Sequence, residues 1–134
     1  MNILIADDSM IIRESLSKLI SRNNPEDMIA KAVNVGDAIT KINETEPDLV
    51  VLDLAMPGGD GFDVMKEIRE RHMETVVIML TNFATESNRK KSREAKVDYF
   101  LDKTNEFEKV LEIIKQKRTK KVLQFAEKVK ENFC

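Results

Sequence analysis

The sequence predicts an α/β fold, a five-stranded parallel sheet with helices on both faces. Two observations predict it. Short apolar runs alternate in order with longer stretches of helical periodicity, five times along the chain. The third run, Leu49-Val50-Val51-Leu52, is apolar without interruption, as in a strand covered on both faces. A chain of 134 residues fits one such domain.

Each element follows from local pattern. Ile3 to Ala6 is the first strand. Met10 to Ile20 is a helix, with Ile12, Leu16, Leu19 and Ile20 at helical spacing. Asn23-Asn24-Pro25 ends it. Met28 to Val33 is the second strand, and Asp37 to Asn43 a short helix with Ala38, Ile39 and Ile42 on one side. Glu46-Pro47 breaks that helix ahead of Leu49 to Leu52. Pro57-Gly58-Gly59 marks a loop, and Asp60 with Asp63 starts the third helix, burying Phe62, Met65 and Ile68. Thr75 to Leu80 is the fourth strand, Ala84 to Ala95 a polar, basic helix, and Tyr99 to Leu101 the fifth strand. Asn105-Glu106-Phe107-Glu108 has the form of a capping box. The helix it announces turns Phe107, Val110, Leu111 and Ile114 inward.

Composition narrows the function classes. The net charge of −2 is too small to imply a nucleic-acid partner. Cys134 is the single cysteine, so no disulfide forms within the chain, which suits a reducing cytoplasm. No apolar stretch is long enough to span a membrane, and Met1-Asn2 leads into the first strand without the pattern of a signal peptide. His72 is the one histidine, expected at the exposed end of the third helix and too little for a multi-histidine metal site.

In a parallel sheet the functional site lies outside the carboxyl ends of the strands. Asp7 and Asp8 follow the first strand, Asp53 the third, Thr81 the fourth and Lys103 the fifth. Three carboxylates on one edge repel unless a cation or protons join them. Mg²⁺ suits such a set, because it takes carboxylates, waters and phosphate oxygens. A phosphoryl group at this edge would meet the Thr81 hydroxyl and the Lys103 ammonium, and Asp53 can carry it as an acyl-phosphate. Taken singly, these residues have ordinary explanations as turns, caps and solvated charges. Their joint placement at four strand ends makes the case.

These segments together resemble the receiver domain of two-component response regulators. The resemblance covers nearly all of residues 1–120 and rests on Ile3-Leu4-Ile5-Ala6-Asp7-Asp8-Ser9 with Arg13, Pro47-Asp48-Leu49-Val50-Val51-Leu52-Asp53, Met56-Pro57, Asp60-Gly61, Ile78-Met79-Leu80-Thr81 and Tyr99-Phe100-Leu101-Asp102-Lys103. It implies a (βα)5 flavodoxin-like fold and a cytoplasmic signalling protein that is not an enzyme in its own right. It implies a histidine kinase or phosphotransfer protein as donor and Asp53 as phosphoacceptor. Mg²⁺ would be held by Asp7, Asp8, Asp53 and the backbone carbonyl of Ala55, with Thr81 and Lys103 binding the phosphoryl group. Phe100 stands where the family has its switch aromatic, coupled to Thr81; its other reading is plain core. Tyr99 points to the opposite face. The expected readout is a downstream protein target, or self-association, through the fourth helix, fifth strand and fifth helix. No direct nucleic-acid or membrane contact is expected.

Several positions depart from the family pattern. Thr104 stands where proline in cis linkage is usual, so a trans bond is predicted. Asn82 replaces a smaller residue and narrows access, and Lys96 replaces a usual glycine. Ala55 and Phe83, two residues beyond Asp53 and Thr81, are apolar and cannot orient a water, so slow loss of the phosphoryl group is expected.

The expected division is a receiver domain over 1–120 and a helical extension over 121–134. In the extension Val122, Phe125, Ala126, Val129 and Phe133 keep helical spacing. Either the last helix is long and projects, or a short extra helix folds back. Lys115 to Lys121, and Arg89, Lys90, Lys91 and Arg93, read as solvated faces. Two other function classes compete. A phosphatase resembling the haloacid dehalogenase family needs a second acid two residues after its nucleophile, where this chain has Ala55 or Ser9. A phosphorylation-independent, receiver-like scaffold is the remaining alternative.

Overall fold

The structure is a computed structural model that describes all residues except Met73 and Cys134. The side chain of Phe133 and all of Cys134, both part of the tail reading, lie outside the described residues. The elements run β1 (Asn2–Ala6), α1 (Met10–Asn23), β2 (Met28–Ala32), α2 (Val35–Thr45), β3 (Leu49–Leu52), β4 (Ala55–Met56), β5 (Gly59–Asp60), α3 (Gly61–Arg71), β6 (Val76–Thr81), α4 (Glu86–Glu94), β7 (Tyr99–Asp102) and α5 (Lys109–Phe133). Five strands form one sheet in the order β2-β1-β3-β6-β7, and all its pairs are parallel. The expected α/β architecture is the one observed.

Side-chain alternation along the strands sorts the core into two layers. Leu4, Val50, Leu52, Val77 and Met79 face α2 and α3, where Ala38, Ile42, Val64, Met65 and Ile68 meet them. Ile3, Ile5, Leu49, Val51, Ile78 and Leu80 face α1 and α5, against Leu16, Ile20, Val110, Ile113 and Ile114. Tyr99 belongs to the second layer and Phe100 to the first, as the strand register predicts.

The helix starts follow from capping. Ser9 caps α1, Asn34 caps α2 and Thr85 caps α4. Asp60 and Asp63 form a reciprocal capping box on α3. His72 ends α3, with Nε2 2.9 Å from Asn43 Oδ1. Helix α4 buries only Ser92, in keeping with its polar sequence.

Four details differ from the sequence expectation. The box at Asn105 does not form. Glu106 instead accepts the Asp102 N–H at 3.1 Å, and Asp102 accepts the Thr104 N–H at 2.9 Å, so residues 103–108 make turns and α5 begins at Lys109. Ile113 takes the buried position expected of Leu111, which is half-buried. Leu19 stands at the edge of its helix face, 36% exposed. The loop expected around Pro57-Gly58-Gly59 carries a short antiparallel pairing of β4 with β5. No peptide bond of the described residues is cis, so Lys103–Thr104 is trans as predicted.

Of the two expectations for the tail, the long helix is the one observed. Helix α5 runs unbroken for 25 residues, about 37 Å at 1.5 Å per residue. It is held against the strand-start edge of the sheet by ion pairs from Arg118 to the buried Asp27 and from Lys121 to Asp48. Among the described residues no helix is long and apolar enough to cross a membrane.

Candidate functional site

The sheet ladder itself positions the site. Asp7 N–H donates to Ala32 O at 3.1 Å, Asp53 N–H to Ala6 O at 2.9 Å, and Lys103 N–H to Thr81 O at 2.8 Å. Each of these residues therefore sits on one further rung beyond its strand. Their side chains project from the carboxyl edge next to the β1/β3 switch in strand order, where ligands bind in open α/β sheets.

Asp7, Asp53 and Thr81 are buried, and Asp8 is exposed. Carboxylate oxygens of Asp7, Asp8 and Asp53 all lie within 4.8 Å of one another. Lys103 Nζ lies 2.7 Å from Asp7 Oδ2 and 3.2 Å from Asp53 Oδ2. Burial, then the neighbouring Asp7 charge, pushes the Asp53 carboxyl above the ordinary range, and Lys103 offsets part of this. Burial draws the Lys103 ammonium down, but the Asp7 hydrogen bond and the Asp53 charge outweigh it and leave it raised.

Several contacts fix these groups. Asp7 Oδ1 accepts the Ser9 N–H at 2.8 Å, and Arg13 Nη1 donates to Asp7 O at 2.7 Å. The Thr81 hydroxyl oxygen accepts the Phe83 N–H at 3.0 Å, which leaves its own proton free to donate. Ala55 N–H lies 3.4 Å from Asp53 Oδ1. Asp8, Ala55 and Phe83 line one cleft of about 600 Å³ beside the cluster. Asn82 is exposed at its strand end.

Phe100 lies behind the site, half-buried against the α2/α3 layer. The Arg89 guanidinium covers its ring at 5.1 Å, and Arg89 also reaches Glu106 Oε1 at 4.0 Å.

Two supporting residues carry more than the sequence reading assigned them. Gly61 appears there only as part of a matching motif. A Cβ at that position would come 2.8 Å from Asp53 O and 3.1 Å from Leu54 Cα, so only glycine lets α3 approach the Asp53 backbone this closely. Arg89 reads as one of four solvated charges, and no spacing singles it out as the cover of Phe100.

The donor set fits a hard divalent cation. Three convergent carboxylates, one of them open to solvent, are the oxygen ligands Mg²⁺ takes.

Comparison with known proteins agrees. The response regulator receiver domain model matches residues 3–115. The transcriptional regulatory protein ResD of Bacillus subtilis is 42% identical over 101 residues, 75% of this chain and 41% of that protein. YdfI, a transcriptional regulatory protein of the same organism, is 38% identical over 81 residues, 60% of this chain and 38% of its own length. The chain thus spans about two-fifths of these relatives. Among solved structures, a LuxR-family DNA-binding response regulator from Staphylococcus aureus superposes with a TM-score of 0.78 at 32% identity, covering 87% of this chain and 97% of the other. The response regulator TrrA of Thermotoga maritima, in complex with Mg²⁺-BeF, gives 0.75 at 31% identity and the same coverages. The family match over residues 3–115, on a fold with an acidic cluster at its strand ends, places this chain in the response regulator receiver domain family.

Proposed function

We propose that the chain is a phosphorylation-dependent signalling switch that accepts a phosphoryl group on Asp53 from a histidine kinase or phosphotransfer protein. The observation that carries this reading is the convergence of Asp7, Asp8, Asp53, Thr81 and Lys103 on one sheet edge. Asp7, Asp8 and Asp53, with the carbonyl of Ala55, would hold Mg²⁺. When bound, the ion neutralises charge on the transferring phosphoryl oxygens. An Asp53 oxygen attacks phosphorus, the bond from phosphorus to the donor imidazole breaks, and the electron pair leaves with the imidazole. Lys103 holds one Asp53 oxygen and supplies fixed positive charge. Thr81 donates its hydroxyl proton to a phosphoryl oxygen.

The readout follows from Phe100. Drawing Thr81 toward a phosphoryl group opens room behind it, and the ring turns inward from beneath Arg89, which reshapes the surface of α4, β7 and the start of α5. A downstream protein, or a second copy, reads that surface. Ala55 and Phe83 line the cleft and offer no group to orient water, so the phosphorylated state is long-lived. The protein acts as a switch in the cytoplasm rather than as an enzyme with a separate substrate. Residues 1–120 form the switch, and the rest of the chain, in which α5 continues, is an extension to it.

Intact mass after incubation with Mg²⁺ and a small phosphodonor tests this. One phosphate gained by the wild type and none by Asp53→Asn is expected. No gain by either protein, even from a range of kinases, would replace the switch with a phosphorylation-independent scaffold.

A further inference from the structure

We infer that the last turns of α5 form a surface anchor for anionic lipid, which departs from the sequence expectation of no membrane partner. The inference is independent of the phosphoryl-transfer reading. Beyond the ion pairs of Arg118 and Lys121, the helix leaves the domain with its apolar residues in solvent. Val122 is 60% exposed, Phe125 69% and Val129 39%. At 3.6 residues per turn, Val122, Phe125, Ala126 and Val129 share an arc of roughly 100°.

Charge around that arc selects the occupant. Lys121 and Lys128 flank one side and Lys130 the other, while Glu127 and Glu131 lie on the opposite pole. Residues 122–133 carry two lysines and two glutamates, so what matters is where these charges lie around the helix: lysines beside the apolar arc, glutamates away from it. In a second copy laid face to face on this arc, the flanking lysines would meet lysines, because Glu127 and Glu131 lie on the far pole. An anionic lipid surface attracts those lysines, takes Phe125 and the valines at the headgroup boundary, and lets the lysine stems lie along the surface with their ammoniums outward. The contact is a surface one, since no described helix is long and apolar enough to span.

The extension also sits away from the acidic cleft. Lys121 pairs with Asp48, just before β3, and Asp53 follows the far end of the same strand. A chain held to a membrane by this helix keeps its acidic edge open to soluble partners.

Co-sedimentation of the full chain with phosphatidylcholine vesicles, with and without an equal part of phosphatidylglycerol, tests the proposal. Binding is expected only to the anionic vesicles, weakening as salt rises, and unchanged in Asp53→Asn. Each flanking lysine contributes about fivefold near an anionic surface, so Lys128→Glu with Lys130→Glu lowers partitioning by more than about tenfold. Phe125→Ser with Val129→Ser abolishes it. All four positions project from the exposed helix, and circular dichroism of the variants checks that they fold. Equal binding to neutral vesicles, or variants that partition like the wild type, would overturn the anchor. So would sedimentation velocity showing a dimer that Phe125→Ser dissociates, or binding only to an acidic protein.

Discussion

Replacing Lys103 with methionine removes the cation that lies between two buried carboxylates and leaves a side chain of similar length. The ammonium stands 2.7 Å from Asp7 and 3.2 Å from Asp53, and the three side chains are 9%, 4% and 7% exposed. At an effective dielectric constant of about 20, charges at these separations attract by about 5–6 kcal/mol per contact. Most of that offsets the cost of taking the groups out of water. Removing one partner of a buried pair nevertheless costs about 3–5 kcal/mol, because the other charge is left uncompensated. Lys103→Met should therefore lose about 3–5 kcal/mol at neutral pH, out of a total of about 5–15 for a domain of this kind. The sign of the pH dependence follows from Asp53, whose carboxyl already lies above the ordinary range. The folded variant holds a proton there at pH values where the unfolded chain has lost it, so its stability falls as pH rises through that window. The deficit against wild type is widest at neutral pH and narrows on acidification, as Asp53 takes up its proton. Asp53→Asn in the same chain should restore much of the loss, a coupling that a double-mutant cycle measures. Urea unfolding followed by circular dichroism reads all of this. A deficit below about 1 kcal/mol, the value of an exposed pair, with no pH dependence, would refute the reasoning.

Further consequences of the geometry are open to the same assay. Asp53→Asn alone should stabilise the metal-free protein at neutral pH, since it removes a charge that burial and Asp7 disfavour, and the gain should shrink as pH falls; an unchanged midpoint would contradict this. Mg²⁺ at a hundredfold excess over its dissociation constant should raise wild-type stability by about 2.7 kcal/mol and leave Asp7→Asn nearly unaffected. Gly61→Ala should cost about 1–3 kcal/mol and slow phosphorylation, because its methyl group meets Asp53 backbone rather than a mobile side chain. Lys96 is exposed at φ 63°, so Lys96→Gly should raise stability by about 0.5–1 kcal/mol, and a loss would show that the lysine makes a compensating contact.

The five strands were legible because their apolar runs are buried on both faces, which leaves continuous hydrophobic sequence. The cluster was legible for a related reason. In a parallel sheet the residue after each strand must reach the same edge, so Asp7, Asp53, Thr81 and Lys103 come together from topology alone. What escaped the reading depends on competition between local bonds. Asn105 and Glu108 have the spacing of a cap, yet Asp102 and Glu106 take up the neighbouring backbone donors first. The choice between Leu111 and Ile113 as core residues turns on where α5 starts, which those bonds set. The Arg89–Phe100 contact joins residues eleven apart on different elements, and no local periodicity encodes it. The path of the extension was open in sequence because its apolar pattern suits either course. The continuous helix and the ion pairs of Arg118 and Lys121 decide it.

The ladder rungs at Asp7, Asp53 and Lys103 tie the chemistry to the survival of the whole sheet. In many proteins a functional loop opens while the rest of the fold stays closed. Here Asp53, Asp7 and Lys103 hang from three different strands, and releasing any of their amides means breaking an interstrand bond. Amide protons at these positions should exchange about as slowly as those of the strands themselves. A partly unfolded or newly made chain would then present no assembled cluster, and the proposed phosphoryl transfer would proceed only on molecules whose sheet is complete. Whatever acts at this sheet edge would therefore meet it only in folded molecules, without any separate device to inspect them.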